Sequence, residues 1–500
     1  MPISLKSLSP RALGFSFDSW RSGQLECAER IFNSKAKIIV LSAPTGTGKS
    51  VINQIPARIL LHRQLILTRT KALQAQYEAD NVLAMYGRSN YQCNIMPLHS
   101  AEHGKCRAGS DCHLMYDGCY YYDAKRAALA TQQVVTNYRY FFLEANGAGG
   151  FSNLDYLVCD EGHSVPEELA QSYSIRISSY DIRRFKLKKP EDTDNLAYWI
   201  SWADQAIIKM AGQLRYATKP EVIFAHATLD RKLNQLADLK DADNYIVARD
   251  KSGVSIRPVW ADKLAGHLLF PHAQRFIFSS ATINPWHLSR ELGFSLLDAE
   301  YIEVPSTFPK ANRPIYISKA IHNPKYGVTP LELHALIRDL DKIIDQYPDR
   351  KGIIHTANYG LSETIANLSY HTRRIITHKS SNRAEALEEF KASEEGILVS
   401  PSMMEGIDLP HELCEFSIIA KLPFPNLKDP VWQARFNRDR NRASAAYTSQ
   451  TISSIVQSVG RGVRSADDYC DSWILDSSFN RIYQQHRQEF PRYFQEAVVQ

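Results

Sequence analysis

The stretch KIIVLSAPTGTGKS, residues 37–50, decides the fold. Its apolar half, 37–42, predicts a buried strand, and a helix opens after the glycines. Between them Ala43, Thr45, Gly46, Thr47 and Gly48 form a loop of small residues. Such a loop lets backbone amides approach phosphates, and the helix N-terminus adds positive potential. On this reading Lys49 reaches the β- and γ-phosphates and Ser50 ligates Mg²⁺, so the expected nucleotide is ATP with magnesium. A glycine-rich turn arising by chance would not carry both the strand and the helix at its flanks.

Further along, the apolar run LDYLVCD ends in Asp160-Glu161-Gly162-His163. An acid at a strand end beside a phosphate loop can hold Mg²⁺ through water, and its neighbour can orient the attacking water. Asp160 fits the first role and Glu161 the second. Late in the chain, QSVGRGVR (457–464) places Arg461 and Arg464 three apart on one helix face. Arginine suits the bridging of phosphate oxygens, and glycines on both sides of Arg461 suggest that another surface comes close.

Between the two nucleotide motifs lie Cys93, Cys106, Cys112 and Cys119; the other four cysteines are scattered among apolar neighbours. No run approaches the ~20 apolar residues of a membrane span, and the first residues lack the apolar centre of a secretory signal. The expected place is therefore the cytoplasm. In a reducing compartment four clustered cysteines point to metal. Their spacing, C-x12-C-x5-C-x6-C, has none of the tight pairs of a zinc knuckle. Spacing by itself leaves zinc and an iron–sulfur cluster both open. A net charge of +5 permits nucleic-acid binding without requiring it.

At 500 residues the chain is too long for one core. Apolar runs at 37–42, 64–68, 133–136, 154–160 and 275–279 predict the strands of one parallel sheet. Runs at 313–318, 352–356, 373–377, 396–400, 416–421 and 471–475 predict a second, with helices such as 330–347 and 383–392 between them. Two segments break the alternation. Residues 86–123 are rich in Cys, Gly, His and Tyr, and residues 165–271 read as mostly helical and polar, with a basic run from Arg183 to Lys189. Tyr120 to Tyr122 and the YRYFF run from Tyr138 to Phe142 interleave aromatics with cations, a pattern suited to stacking single-stranded bases, although core aromatics explain Phe141 and Phe142 as well.

The order APTGTGKS, LTRTKALQAQ, DEGH, SSAT, GIIHTANYG, VSPSMMEGIDLP, QSVGRGVR resembles the motif series of superfamily 2 helicases. GRSNYQC with three further cysteines, NRPIYIS and KLPFPNLKDP are similar to the XPD/DinG family of iron–sulfur DNA helicases. The resemblance implies an α/β fold: two tandem RecA-like P-loop domains, with an iron–sulfur insertion and a mainly helical arch insertion in the first. The expected parts are motor domain 1 at 1–85, 131–164 and 272–312, the cluster insertion at 86–130, the arch at 165–271, and motor domain 2 at 313–500. It also implies that the four cysteines hold a 4Fe–4S cluster, acting as a structural pin for a wedge. Arg21 and Gln24 resemble the adenine-side element. Ser280 and Thr282 resemble the motif linking hydrolysis to domain movement. Gly406 and Asp408 look like the inter-domain motif near the γ-phosphate, and Gln457, Arg461 and Arg464 act from the second domain across the cleft. Thr68, Arg69, Thr70, His355, Thr356 and Ser400 sit in strand-contacting motifs, where a local cap or turn explains each hydroxyl equally well. DEGH in place of DEAH reads as a mild change.

The function implied is an ATP-dependent 5′→3′ DNA helicase, a monomer in a bacterial or phage-infected cell. Its expected partners are single-stranded DNA, tailed duplexes and RNA–DNA hybrids, with a protein partner at the arch left open and no membrane. The rival readings are a translocase that remodels protein–DNA complexes and a nucleic-acid-binding scaffold with weak ATPase.

Overall fold

The computed structural model describes residues 5, 7–104, 106, 112–211, 219–324, 328–401, 411–460, 462–463 and 467–499. In the first α/β domain the strands are β1 (Ile38–Ser42), β2 (Gln64–Thr68), β3 (Leu83–Ala84), β4 (Gln133–Asn137) and β5 (Leu154–Asp160). An inserted segment follows, with β6 (Ile175–Ser178), β7 (Tyr245–Asp250) and β8 (Gly253–Pro258). The first domain then resumes with β9 (Ala273–Ser280) and β10 (Ala299–Glu303). Its sheet runs β10-β1-β9-β5-β2-β4-β3, and every pairing is parallel. The central strands are buried on both faces, which explains their unbroken apolar sequences.

The second domain holds β11 (Ile315–His322), β12 (Gly352–His355), β13 (Ile375–Thr377), β14 (Ile397–Ser400), β15 (Phe416–Ile419), β16 (Asp471–Asp476) and β17 (Val498–Val499). Its order is β13-β14-β12-β15-β16-β11-β17, again wholly parallel. The helix Pro330–Ile344 starts at a capping box, Thr329 with Glu332, and packs Leu336, Leu340 and Ile344 into the core. The two parallel α/β domains expected from the sequence are present.

The segment 165–271 is mostly helical, as expected, and also carries a small sheet that the sequence did not announce. Strands β6, β8 and β7 form an antiparallel sheet, and β7 and β8 make a hairpin beside the long helices Leu196–Ala211 and Pro220–Ala237. This hairpin side is where the second domain docks. Trp260, just past β8, takes cation–π contacts from Arg435 (4.7 Å from the ring centroid) and Arg442 (4.1 Å). Both arginines come from the helices Pro430–Arg438 and Arg440–Val459. They also pair with Glu291, which is only 3% exposed, at 3.4 and 3.8 Å. Arg257 donates to both oxygens of Asp429 at 3.2 and 2.9 Å, closing the joint.

Candidate nucleotide site and cysteine pocket

The carboxyl ends of β1, β9 and β5 lie side by side, because β9 pairs with both of the others. Ligands of open α/β sheets gather at such strand ends. Here the sequence motifs meet. Gly46 and Gly48 have φ near +78° and +79°, a backbone region that favours glycine. A Cβ on Gly48 would fall 2.1 Å from the Gln24 amide nitrogen. The closeness is structural: Gln24 Nε2 donates to the Thr47 carbonyl at 3.0 Å and Oε1 accepts from Arg21 N–H at 2.8 Å. The Arg21 guanidinium donates to the Gly46 carbonyl. Residues 21–24 therefore grip the loop backbone, and the Thr47 hydroxyl closes the loop on the Pro44 carbonyl at 2.7 Å. Ala43 is buried and its N–H donates to the Ser280 carbonyl at 3.0 Å. Thr45 lines an open pocket between the domains, shared with Phe308, Val459 and Tyr493.

Lys49 and Ser50 open the helix Lys49–Leu60. The Lys49 ammonium stands 3.6 Å from the Glu161 carboxylate. Asp160 is 4% exposed. Its Oδ2 accepts from the Tyr77 hydroxyl at 3.1 Å, and its Oδ1 accepts from the Glu161 N–H at 3.1 Å and the Ser279 hydroxyl at 3.4 Å. Burial, reinforced by the Glu161 charge, pushes the Asp160 carboxyl up to about 6, against the pull of Lys49 and Tyr77. A cation on the carboxylate would favour its ionised form. Asn53 donates to both Tyr77 Oη (3.0 Å) and Ser279 Oγ (2.9 Å), so the supports of Asp160 are themselves fixed.

Glu161 has φ +54°, the left-handed region, where a non-glycine residue pays roughly 1–2 kcal/mol. That turn aims its side chain back at Lys49 and Ser280. Gly162 corrects the reading of DEGH as a mild change. A Cβ there would meet Phe278 Cβ at 2.9 Å and Cα at 3.0 Å, so the position is sterically closed.

His163 carries the contact across the two domains. Gln457 Nε2 donates to His163 Nε2 at 2.9 Å, which leaves Nδ1–H to donate to Ser280 Oγ at 2.7 Å. Ser280 Oγ in turn donates to Glu161 Oε2 at 3.1 Å. Next to it, Ser453 Oγ donates to the Thr282 carbonyl at 3.3 Å, and Tyr493 Oη donates to the Ala281 carbonyl at 3.3 Å. The second domain thus touches all three residues of the Ser280–Thr282 motif or their direct partners. Sequence reasoning assigned no role to His163, Tyr77 or Asn53. The histidine sat in a motif already singled out, whereas nothing local marked the other two. Gly406, Asp408, Arg461 and Arg464 lie outside the described residues.

Of the strand-contacting candidates, Thr70 caps the helix Lys71–Ala79, Thr356 Oγ1 bonds Ser362 Oγ at 2.6 Å, and Ser400 Oγ bonds His378 at 2.8 Å. Thr68 and His355 are buried, and Arg69 pairs with Glu167 and Glu168. The hydroxyls of Thr70, Thr356 and Ser400 are committed locally. The stacking expectation for the YRYFF run is corrected: Tyr138, Tyr140, Phe141 and Phe142 are all core residues. Tyr120, at 58% exposure, remains open to solvent. The cations of the Arg183–Lys189 run are exposed, while Phe185 and Leu187 anchor it.

Cys93, Cys106, Cys112 and Cys119 line one pocket, together with Arg88, Ile95, Ala101 and Leu114. Arg88 Nη1 points at Cys106 Sγ from 3.8 Å. Among the described residues no three His, Cys, Asp or Glu side chains converge as they would around a single metal ion. No described helix is long and apolar enough to cross a membrane.

Two parallel α/β domains, the first carrying a phosphate loop, thus meet across an acid-bearing strand end, the arrangement expected of a superfamily 2 helicase motor. Residues 342–497 match the family described as Helicase C-terminal domain. The chain is 22% identical to the ATP-dependent DNA helicase YoaA of Escherichia coli K12, over 87% of each chain. It is 21% identical to YoaA of Haemophilus influenzae, over 93% of this chain and 92% of that one. Among solved structures, an XPD helicase superposes with a TM-score of 0.67 at 15% identity, covering 94% of this chain and 98% of the other. S. tokodaii Xpd4 gives 0.60 at 15%, covering 96% and 100%. Along most of its length the chain is thus similar to ATP-dependent DNA helicases of the XPD/DinG-like kind.

Proposed function

We propose that the protein translocates 5′→3′ on single-stranded DNA and unwinds tailed duplexes and RNA–DNA hybrids, as a monomer in the bacterial cytoplasm. The observation that carries this reading is the hydrogen-bonded line from Gln457 through His163 and Ser280 to Glu161, with Lys49 beyond it. It joins the second motor domain to the residues around the γ-phosphate position, as a hydrolysis-driven closure needs.

In this account Lys49 binds the phosphates, releasing Glu161 from its present ion pair. Glu161 then orients the attacking water. Ser50 and the buried Asp160 carboxylate are suited to hold Mg²⁺, which supplies charge neutralisation on the β- and γ-oxygens when bound. Ala43, Thr45, Gly46, Thr47 and Gly48 shape the loop, and Gln24 keeps it in place. Asp408, Arg461 and Arg464 complete the site on closure; their assignment rests on the motif pattern. The resemblance supports the polarity.

Four cysteines line one pocket, and four thiols are the usual ligand set of a 4Fe–4S cluster. Cys93, Cys106, Cys112 and Cys119 would hold it, and when bound it would cross-link their loops into a stiff wedge. The wedge touches the arch, since His103 packs on Phe224 with ring centroids 4.8 Å apart. That contact supports enclosure of a single strand between the two insertions.

Lys49→Ala tests the motor. ATP turnover should fall by at least about 100-fold, in line with loss of a group that stabilises transferring phosphate, while single-strand binding persists. Turnover equal to the wild type would overturn the reading.

A further inference from the structure

The YRYFF run is buried, yet two of its rings carry hydroxyls where phenylalanine would pack as well. A buried hydroxyl is costly unless it is bonded. Both are bonded, and they reach in different directions. Tyr138 Oη donates to the main-chain carbonyl of Asp160 at 2.8 Å. Tyr140 Oη bonds Tyr121 Oη at 3.1 Å, and Tyr121 Oη donates onward to Glu144 Oε1 at 3.1 Å. Tyr121 sits on the helix Tyr120–Ala130, which begins directly after Cys119. The Arg88 guanidinium covers the Tyr121 ring at 4.2 Å, and the same guanidinium faces Cys106 Sγ.

The geometry points to the helix Tyr138–Leu143 as the mechanical coupling between the cysteine pocket and the ATPase, with Tyr140 and Tyr121 as positioning residues that pass a displacement of the pocket to the end of β5. The helix is six residues long, capped at one end by Asn137, whose Oδ1 accepts from Tyr140 N–H at 2.8 Å. It has no slack. Close-packed interiors carry small shifts without absorbing them, so load on the pocket loops reaches the Asp160 carbonyl through the hydroxyls of Tyr121, Tyr140 and Tyr138 and one turn of helix. Neither tyrosine touches nucleotide-site residues directly, and each acts through the helix.

This inference rests on the proposal that single-stranded DNA drives the ATPase. The test uses the full-length protein and its Tyr140→Phe and Tyr121→Phe variants. ATP turnover is measured with and without saturating oligo-dT, alongside iron and sulfide content. Stimulation by DNA should fall about fivefold in each variant, roughly what one net hydrogen bond is worth, with basal turnover and iron content unchanged. Wild-type stimulation in both variants would overturn the inference. So would a fall that tracks lost iron, because the hydroxyls would then be supporting the pocket alone. A wild-type protein that DNA does not stimulate would instead overturn the underlying reading, and the inference with it.

Discussion

Gly162 is the residue where backbone geometry constrains the site most tightly. The atoms a Cβ would strike are Phe278 Cβ, Cα and C, and all three remain in an alanine at 278. Gly162→Ala should therefore lower stability by about 1–3 kcal/mol, the usual cost of overpacking, and reduce ATP turnover by displacing Glu161. A thermal melt of Gly162→Ala with and without Phe278→Ala checks this, and the second substitution should give no rescue. Full rescue would place the strain in the aromatic ring. At the same scale, Gln457→Ala removes a donor to His163 but leaves both domains folded. Turnover should fall roughly tenfold, consistent with one interaction of ~1.4 kcal/mol, with the melting temperature nearly unchanged. A large melting shift would make Gln457 a packing residue.

The helix Arg440–Val459 links two distant places. Its 20 residues span about 30 Å. Arg442 near its start stacks on Trp260, and Gln457 near its end reaches His163. One rigid element thus connects the arch-side joint with the nucleotide site. Trp260→Ala takes the ring from Arg442 and leaves Arg435 with Trp432 alone, so two cation–π contacts of about 0.5–2 kcal/mol each are lost. Reduced unwinding with retained basal turnover is the expected result, read by parallel helicase and ATPase assays.

What the sequence disclosed at this scale follows from how each element is buried. Strands β1, β2 and β5 are covered on both faces and read as continuous apolar runs. Strand β10, AEYIE, lies at the sheet edge with only Ile302 buried and two glutamates breaking the apolar run, so it gave no such signal. Strands β7 and β8 hid in a polar stretch because only one face of β8 is buried, the other being half-buried, and β7 ends in two exposed residues. The relay of His163 and Gln457 joins residues 294 positions apart, a pairing no local pattern could reveal. The phosphate loop and the acidic pair were legible because their chemistry dictates residue type at fixed spacing.

At the scale of the whole molecule, the proposed nucleotide site lies where the two α/β domains meet, the cysteine pocket lies on the first, and the inserted segment 165–271 packs beside that pocket through His103 and Phe224. These parts should separate by function. Cys112→Ser should lose iron and strand separation while keeping most basal ATP turnover, because the pocket contributes no side chain to the nucleotide site. Loss of basal turnover together with iron would make the pocket part of the motor core. The central claim is directional unwinding by an ATP-driven motor. It is tested most directly by strand displacement on duplexes carrying only a 5′ or only a 3′ single-stranded tail, with ATP and Mg²⁺. The account predicts displacement from the 5′-tailed substrate, abolished in Lys49→Ala; displacement from the 3′-tailed substrate alone, or from neither, would contradict it.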